Sequence, residues 1–304
     1  MKQPLIRTLD LNFQDTPGAI ASYLIPWGDR AILVESGPAT TLSGLERGLS
    51  AYGYTLEQVS DLFVTHIHLD HAGAAGWLAK NGTQVYVHPV GAPHLVNPEA
   101  LLISARRIYA ESMDMLWGPV LPVGREKITL VEDGETVHLG PHAIRAVDTP
   151  GHAYHHHAYI YEGVCFSGDV GGVRMPGPPN VFLPMPPPEL NLDLWKESIK
   201  KLRSQAIEAI APTHFGIYSD VEPHLDRVEA FIEEVGSWLE RIRPEMHTVE
   251  EMRTIYSVWF RENLSVHGID PSEVDRAEII NPTFMSGDGL WRYWNKVRMP
   301  KTTP

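Results

Sequence analysis

The sequence has a single cysteine, Cys165, so no disulfide can form within the chain and thiolates cannot build a metal site. No apolar run approaches the roughly 20 residues that cross a bilayer. The opening stretch, MKQPLIRTLDLNF, alternates apolar and polar residues and lacks the apolar core of a secretory signal. These absences lead us to expect a cytoplasmic protein with no membrane partner. Positive charge is also scarce: 25 Lys and Arg stand against 38 Asp and Glu, a formal charge of −13. A surface of that sign repels phosphate backbones, which disfavours nucleic acid as a partner. Basic residues come in short pairs such as Arg106-Arg107 and Lys200-Lys201, which read as solvated helix faces. A small-molecule substrate is the partner left, with homo-oligomerisation an open alternative.

What is present is a chain of 304 residues, 43% apolar, long enough to bury a large core. LIRTLDLNF, AIASYLIPW and RAILVES read as strands, TLSGLERGLSAYGY as a helix, DLFV as a buried strand, AGAAGWLAKNG as a helix of small residues and QVYVHP as another strand. Residues 90–120 interrupt this α/β alternation with a helical insertion, where Tyr109, Met113 and Trp117 are expected to pack its core rather than form a lid. KITLVEDGETVHLGPHAIRAVDTPGH and HHAYIYEGVCFSGDV then supply the short strands of a second sheet, with Cys165 a small hydrophobe inside one of them. Residues 171–190 carry three Gly and seven Pro and are expected to form a long, stiff loop. A helix with Leu192, Trp195, Ile199 and Leu202 on one stripe follows, then the strand AIEAIAPTHFG. A helical extension over 220–290 ends the chain, with a capping-box pattern at Thr248 and Glu251. No repeat or linker divides the sequence, so residues 1–304 read as one domain with helical additions.

Chemistry concentrates in VTHIHLDHAG, which sets His66, His68, Asp70 and His71 within six positions directly after an apolar strand. A core avoids such groups unless each finds a partner, and a solvated loop scatters them. His66 and His68, two apart, share a face if the strand continues, while Asp70 and His71 fall where the chain turns into a helix. Metal ligation needs further donors from elsewhere. His152 in DTPGH, Asp169 in FSGDV and His214 in APTHFG each end a predicted strand, where α/β architectures gather their sites.

His-x-His-x-Asp-His, then Thr-Pro-Gly-His, then Ser-Gly-Asp, then a His after an apolar strand resembles the metallo-β-lactamase superfamily, in pattern the glyoxalase II-like hydrolases, over about residues 15–215. The resemblance implies an α+β fold, an αββα sandwich of two mixed sheets packed face to face with helices outside. It implies two divalent ions, zinc first, with manganese or iron as alternatives. His66, His68 and His152 would hold one ion, and Asp70, His71 and His214 the other. Asp169 would bridge them, and a hydroxide between the ions, positioned by Asp70, would attack a small thioester or ester. The alternatives are a mononuclear iron persulfide dioxygenase of the same fold and, further off, a phosphodiesterase or nuclease. Gly172 stands where lactonase-like relatives carry Tyr, and no Lys and Tyr pair for glutathione is evident. Arg174, on the Pro-rich loop, is a candidate clamp for a substrate carboxylate. His155, first of the tract His155-His156-His157, is a candidate substrate neighbour, since alternation along a strand would turn His155 and His157 to one side and His156 to the other.

Overall fold

A computed structural model describes residues 5–175 and 180–299 of the chain. The chain groups into two compact units. The first comprises Met1–Asp148, His155–Gly168 and Ile207–Ser219, and the second Thr149–Tyr154, Asp169–Ala206 and Asp220–Pro304.

Two sheets make up the first unit. One runs in the order β1 (Arg7–Asp10), β2 (Ala21–Trp27), β3 (Arg30–Val34), β4 (Val59–Phe63), β5 (Gln84–Val87) and β6 (Ile128–Leu130). Its first three strands pair antiparallel and β3 to β6 pair parallel. Parallel pairs need long crossovers; α1 (Leu42–Ser50) lies in that from β3 to β4, and α2 (Leu69–Ala72) and α3 (Ala75–Lys80) in that from β4 to β5. The insertion folds as α4 (Ala92–Val96), α5 (Glu99–Tyr109) and α6 (Met113–Trp117). Met113 and Trp117 are buried there, and Trp117 stacks on Phe13 at 5.6 Å.

The other sheet of this unit takes β7 (Thr136–Leu139), β8 (His142–Asp148), β9 (His157–Tyr161) and β10 (Val164–Phe166), antiparallel in sequence. Strand β6 corrects the expectation that every strand after the insertion belongs to this second sheet, because it pairs with β5 instead. The two sheets meet through aromatic side chains. Phe63 and Tyr86 of one stack at 4.4 Å, Tyr159 of the other meets Phe63 edge-on at 5.2 Å, and Tyr23 touches Phe166 at 5.2 Å. Cys165 is fully buried, and burial pushes its thiol up to about 12.

In the second unit, β11 (Val173–Met175) and β12 (Asn180–Phe182) form an antiparallel ribbon. The Gly- and Pro-rich stretch is therefore not loop throughout: the ribbon uses two of its Pro-free triplets, so every ladder N–H is available. Helix α7 (Leu192–Arg203) opens on Asn191, whose side chain accepts from the Asp193 and Leu194 N–H groups. Its Trp195 is buried against Gly151, where a Cβ would lie 2.5 Å from the Trp195 Cα. Strand β13 (Ala209–Ala211) returns to the first unit, parallel to β10. Helices α8 (Val221–Ile242), α9 (Val249–Val266), α10 (Pro271–Ile280) and α11 (Thr283–Tyr293) complete the second unit, and the Thr248–Glu251 capping box is present.

Candidate metal centre

In the first unit, β4 delivers the His-rich segment and β13 delivers His214 at their carboxyl ends. His66 is buried, and its Nε2 lies 2.9 Å from the Nδ1 of His68. Asp70 Oδ2 stands 3.6 Å from His71 Nε2 and 3.5 Å from His214 Nε2. In the second unit, the buried pair His152 and Asp169 bring Nε2 and Oδ2 to 3.2 Å. Each predicted ligand thus meets another predicted ligand within its own unit.

The far side of each ring decides what the near side can do. His214 Nδ1 lies 2.7 Å from the Ala19 carbonyl and His152 Nδ1 2.9 Å from the Pro184 carbonyl. A carbonyl only accepts, so both rings carry their proton on Nδ1 and have a lone pair at Nε2. His71 Nδ1 donates to Glu35 Oε1 at 3.0 Å. Thr65 gives its hydroxyl proton to Glu35, which leaves its oxygen to accept from His66 Nδ1 at 3.1 Å. Within the first unit the lone pairs of His71 and His214 face the Asp70 carboxylate oxygen, and within the second that of His152 faces Asp169. Converging lone pairs repel unless a cation lies among them, and neutral imidazoles oriented by outer hydrogen bonds are what divalent ions select. The donor set fits the implied metal.

Glu35 was not among the expected site residues. It ends the buried strand β3 at φ 69°, fully buried, and accepts from the Thr65 N–H at 3.2 Å, the Thr65 hydroxyl at 2.5 Å, the Thr213 hydroxyl at 3.0 Å and His71. Its signal in the sequence was a carboxylate set directly after four apolar residues, where only partners can offset the cost of burial.

A family model of the metallo-beta-lactamase superfamily matches residues 15–214. The chain belongs to that superfamily. With the superfamily comes the class, that of a metal-dependent hydrolase. The crystal structure of the superfamily protein TTHA1429 from Thermus thermophilus shares the fold, with a TM-score of 0.66 and 20% identity over 97% of this chain and 95% of that one. A metallo-beta-lactamase fold-containing protein of Sulfurisphaera tokodaii, ST1585, is 25% identical over 61% of this chain and 72% of its own length. An atrochrysone carboxyl ACP thioesterase of Aspergillus fumigatus is 24% identical over 67% of this chain and 39% of its own length.

The remaining candidates are placed as follows. His155 and His156 precede β9 rather than lying in it, so alternation does not part them: their rings sit 6.0 and 5.0 Å from that of His66. His155 also stands 5.6 Å from the His68 ring. His157 turns to His88, with ring centroids 4.5 Å apart. Those two and Asp148 form another gathering of ligand-type atoms. There, however, the Val90 N–H donates to His88 Nδ1 at 3.0 Å, which leaves the ring proton on Nε2, 3.5 Å from Asp148 Oδ1. That is the tautomer of a hydrogen-bond donor, not of a ligand through Nε2. Arg174 is buried, and its guanidinium makes a two-pronged contact with Asp220 at 3.0 and 2.8 Å. A substrate carboxylate would have to compete with that partner. No helix among the described residues is long and apolar enough to cross a membrane.

Proposed function

We propose that the protein is a dinuclear metal-dependent hydrolase acting on a small acyl compound, a thioester or a related ester. The observation that carries this reading is the donor group around Asp70, where two imidazole Nε2 atoms lie 3.5 and 3.6 Å from one carboxylate oxygen. Its residues are other than the His66 and His68 pair, so the chain has more ligand-type donors than one tetrahedral ion uses. On the superfamily pattern, His66, His68 and His152 would hold one ion, Asp70, His71 and His214 the other, and Asp169 would serve both. Imidazole with carboxylate suits zinc, and also manganese or iron. When bound, such ions lower the pKa of water and polarise the acyl oxygen. The protein's own groups do the orienting. Glu35 and Thr65 hold rings from behind, and Asp70, with 22% of its side chain exposed, is the acid we assign to positioning the attacking water. Similarity to a fungal acyl carrier protein thioesterase supports the thioester class. A cytoplasmic setting suits a chain whose one thiol is buried.

The test pairs ester and thioester hydrolysis under nitrogen with oxygen uptake on a glutathione persulfide, for wild type and Asp70→Asn. Hydrolysis should need no oxygen and fall on the order of 10²-fold or more in the variant, the scale of losing a group that positions a reactant. In a mononuclear iron dioxygenase using His66, His152 and Asp169, Asp70 is only a neighbour. Oxygen uptake that survives the substitution would overturn the hydrolase reading.

A further inference from the structure

Asp169 stands on a single four-residue turn, Gly168–Gly171, too short to hold its place through its own hydrogen bonds. Donors from two helices of the second unit hold it instead. Trp195 of α7 gives its indole N–H to the Val170 carbonyl at 3.0 Å, and His224 of α8 reaches the Gly171 carbonyl through Nε2 at 2.7 Å. Directly after the turn, Gly172 adopts φ +74°, and a Cβ there would lie 2.7 Å from the Phe182 carbonyl, so the chain leaves the turn pressed against β12.

His224 is fully buried on a helix face otherwise filled by Leu225, Val228 and Phe231. A leucine would serve that packing at no polar cost. What the imidazole adds is a directed proton. Arg174 Nη1 donates to its Nδ1 at 3.2 Å, which puts the ring's own proton on Nε2, the tautomer that can donate to a carbonyl. Arg174 is aimed in turn by Asp220. The chain Asp220, Arg174, His224, Gly171 carbonyl thus runs from a part-exposed carboxylate to the backbone two residues beyond Asp169.

We propose that His224, with its tautomer set by Arg174 and Asp220, is a positioning residue that fixes where the Asp169 carboxylate stands as a metal ligand. The proposal rests on the dinuclear reading for the role of Asp169, and on the hydrogen bonds alone for the brace itself.

The experiment compares wild type with His224→Leu, His224→Gln and Asp220→Asn. Metal affinity is read by chelator competition and by the visible bands of the cobalt-loaded protein. Amide hydrogen exchange over residues 168–172 is read on metal-free protein. His224→Leu should weaken ion binding about tenfold or more, the scale of losing an outer-shell partner, and should speed exchange in the turn. His224→Gln, whose amide can still donate to the Gly171 carbonyl, should recover most of both. Asp220→Asn, at a part-exposed site that leaves the core intact, should shift both in the same direction by less. A folded His224→Leu protein with wild-type affinity, cobalt spectrum and exchange overturns the proposal, as does a Gln variant no better than Leu. Should His224→Leu fail to fold, an unmoved Asp220→Asn overturns it equally. Wild type binding fewer than two ions counts against the dinuclear reading, and the exchange data then decide the brace alone.

Discussion

Glu35 is where folding and metal binding separate most cleanly at the scale of one residue. Four donors from Thr65, Thr213 and His71 converge on its buried carboxylate, and Glu35→Gln keeps the shape while replacing one acceptor oxygen with an NH2 that cannot accept from the His71 Nδ1–H or the Thr65 N–H. Affinity for the ion assigned to His71 should fall about 10- to 100-fold in a chelator competition. Unchanged affinity would remove Glu35 from the site. Asp169→Ala should cost both ions, since one carboxylate is assigned to each, and elemental analysis showing two retained ions would end the bridging assignment. Gly151, immediately before His152, has φ +142° and no room for a methyl group beside Trp195. Gly151→Ala should lower the unfolding free energy by on the order of 1–3 kcal/mol and reduce metal content with it. The candidate ligands were legible because their types and order are distinctive. The outer partners were not, since the Ala19 and Pro184 carbonyls that orient His214 and His152 belong to the backbone and carry no side-chain signature.

At the scale of elements, periodicity located most helices and strands but not their neighbours. The apolar runs that became β3, β4 and β5 and the stripe of α8 were plain in the sequence. Whether β6 joined the first or the second sheet was not, because alternation states that a face is buried and not against what. Ribbon β11–β12 hid among prolines for the opposite reason: composition averaged over twenty positions conceals a Pro-free triplet. The Thr248 cap offers a local check, since Thr248→Ala removes an acceptor at the start of α9 and should cost about 1 kcal/mol in a urea titration. Arg174 ties β11 to α8 through Asp220. Arg174→Ala leaves a carboxylate without its cation and should lower stability by on the order of 1–3 kcal/mol. A rise in KM at unchanged stability would instead support the substrate-clamp role.

For the molecule as a whole, the pH dependence of stability should carry the mark of His224. Burial is the main cause that lowers its pKa to about 4, with the Arg174 charge acting in the same direction against the hydrogen bond to Gly171. Below about pH 6.5 the unfolded chain takes a proton that the folded chain refuses, so stability is lost as the pH falls from there towards 4, and this contribution is flat above that window. The urea midpoint of wild type should therefore fall relative to that of His224→Gln between pH 7 and 4, and parallel curves would contradict the assignment. The amino-acid sequence alone determined the superfamily, the order of the seven ligand-type residues and the two-sheet class, because these depend on residue identity and short-range spacing. Only the tertiary structure decided which tautomer His66, His71, His152 and His214 hold, that Glu35 stands behind His71, and that Arg174 faces Asp220. Those outcomes depend on which backbone carbonyl or carboxylate lies within 3 Å of a ring nitrogen or guanidinium, and residues as distant in sequence as Ala19 and His214 meet only once the sheets have packed.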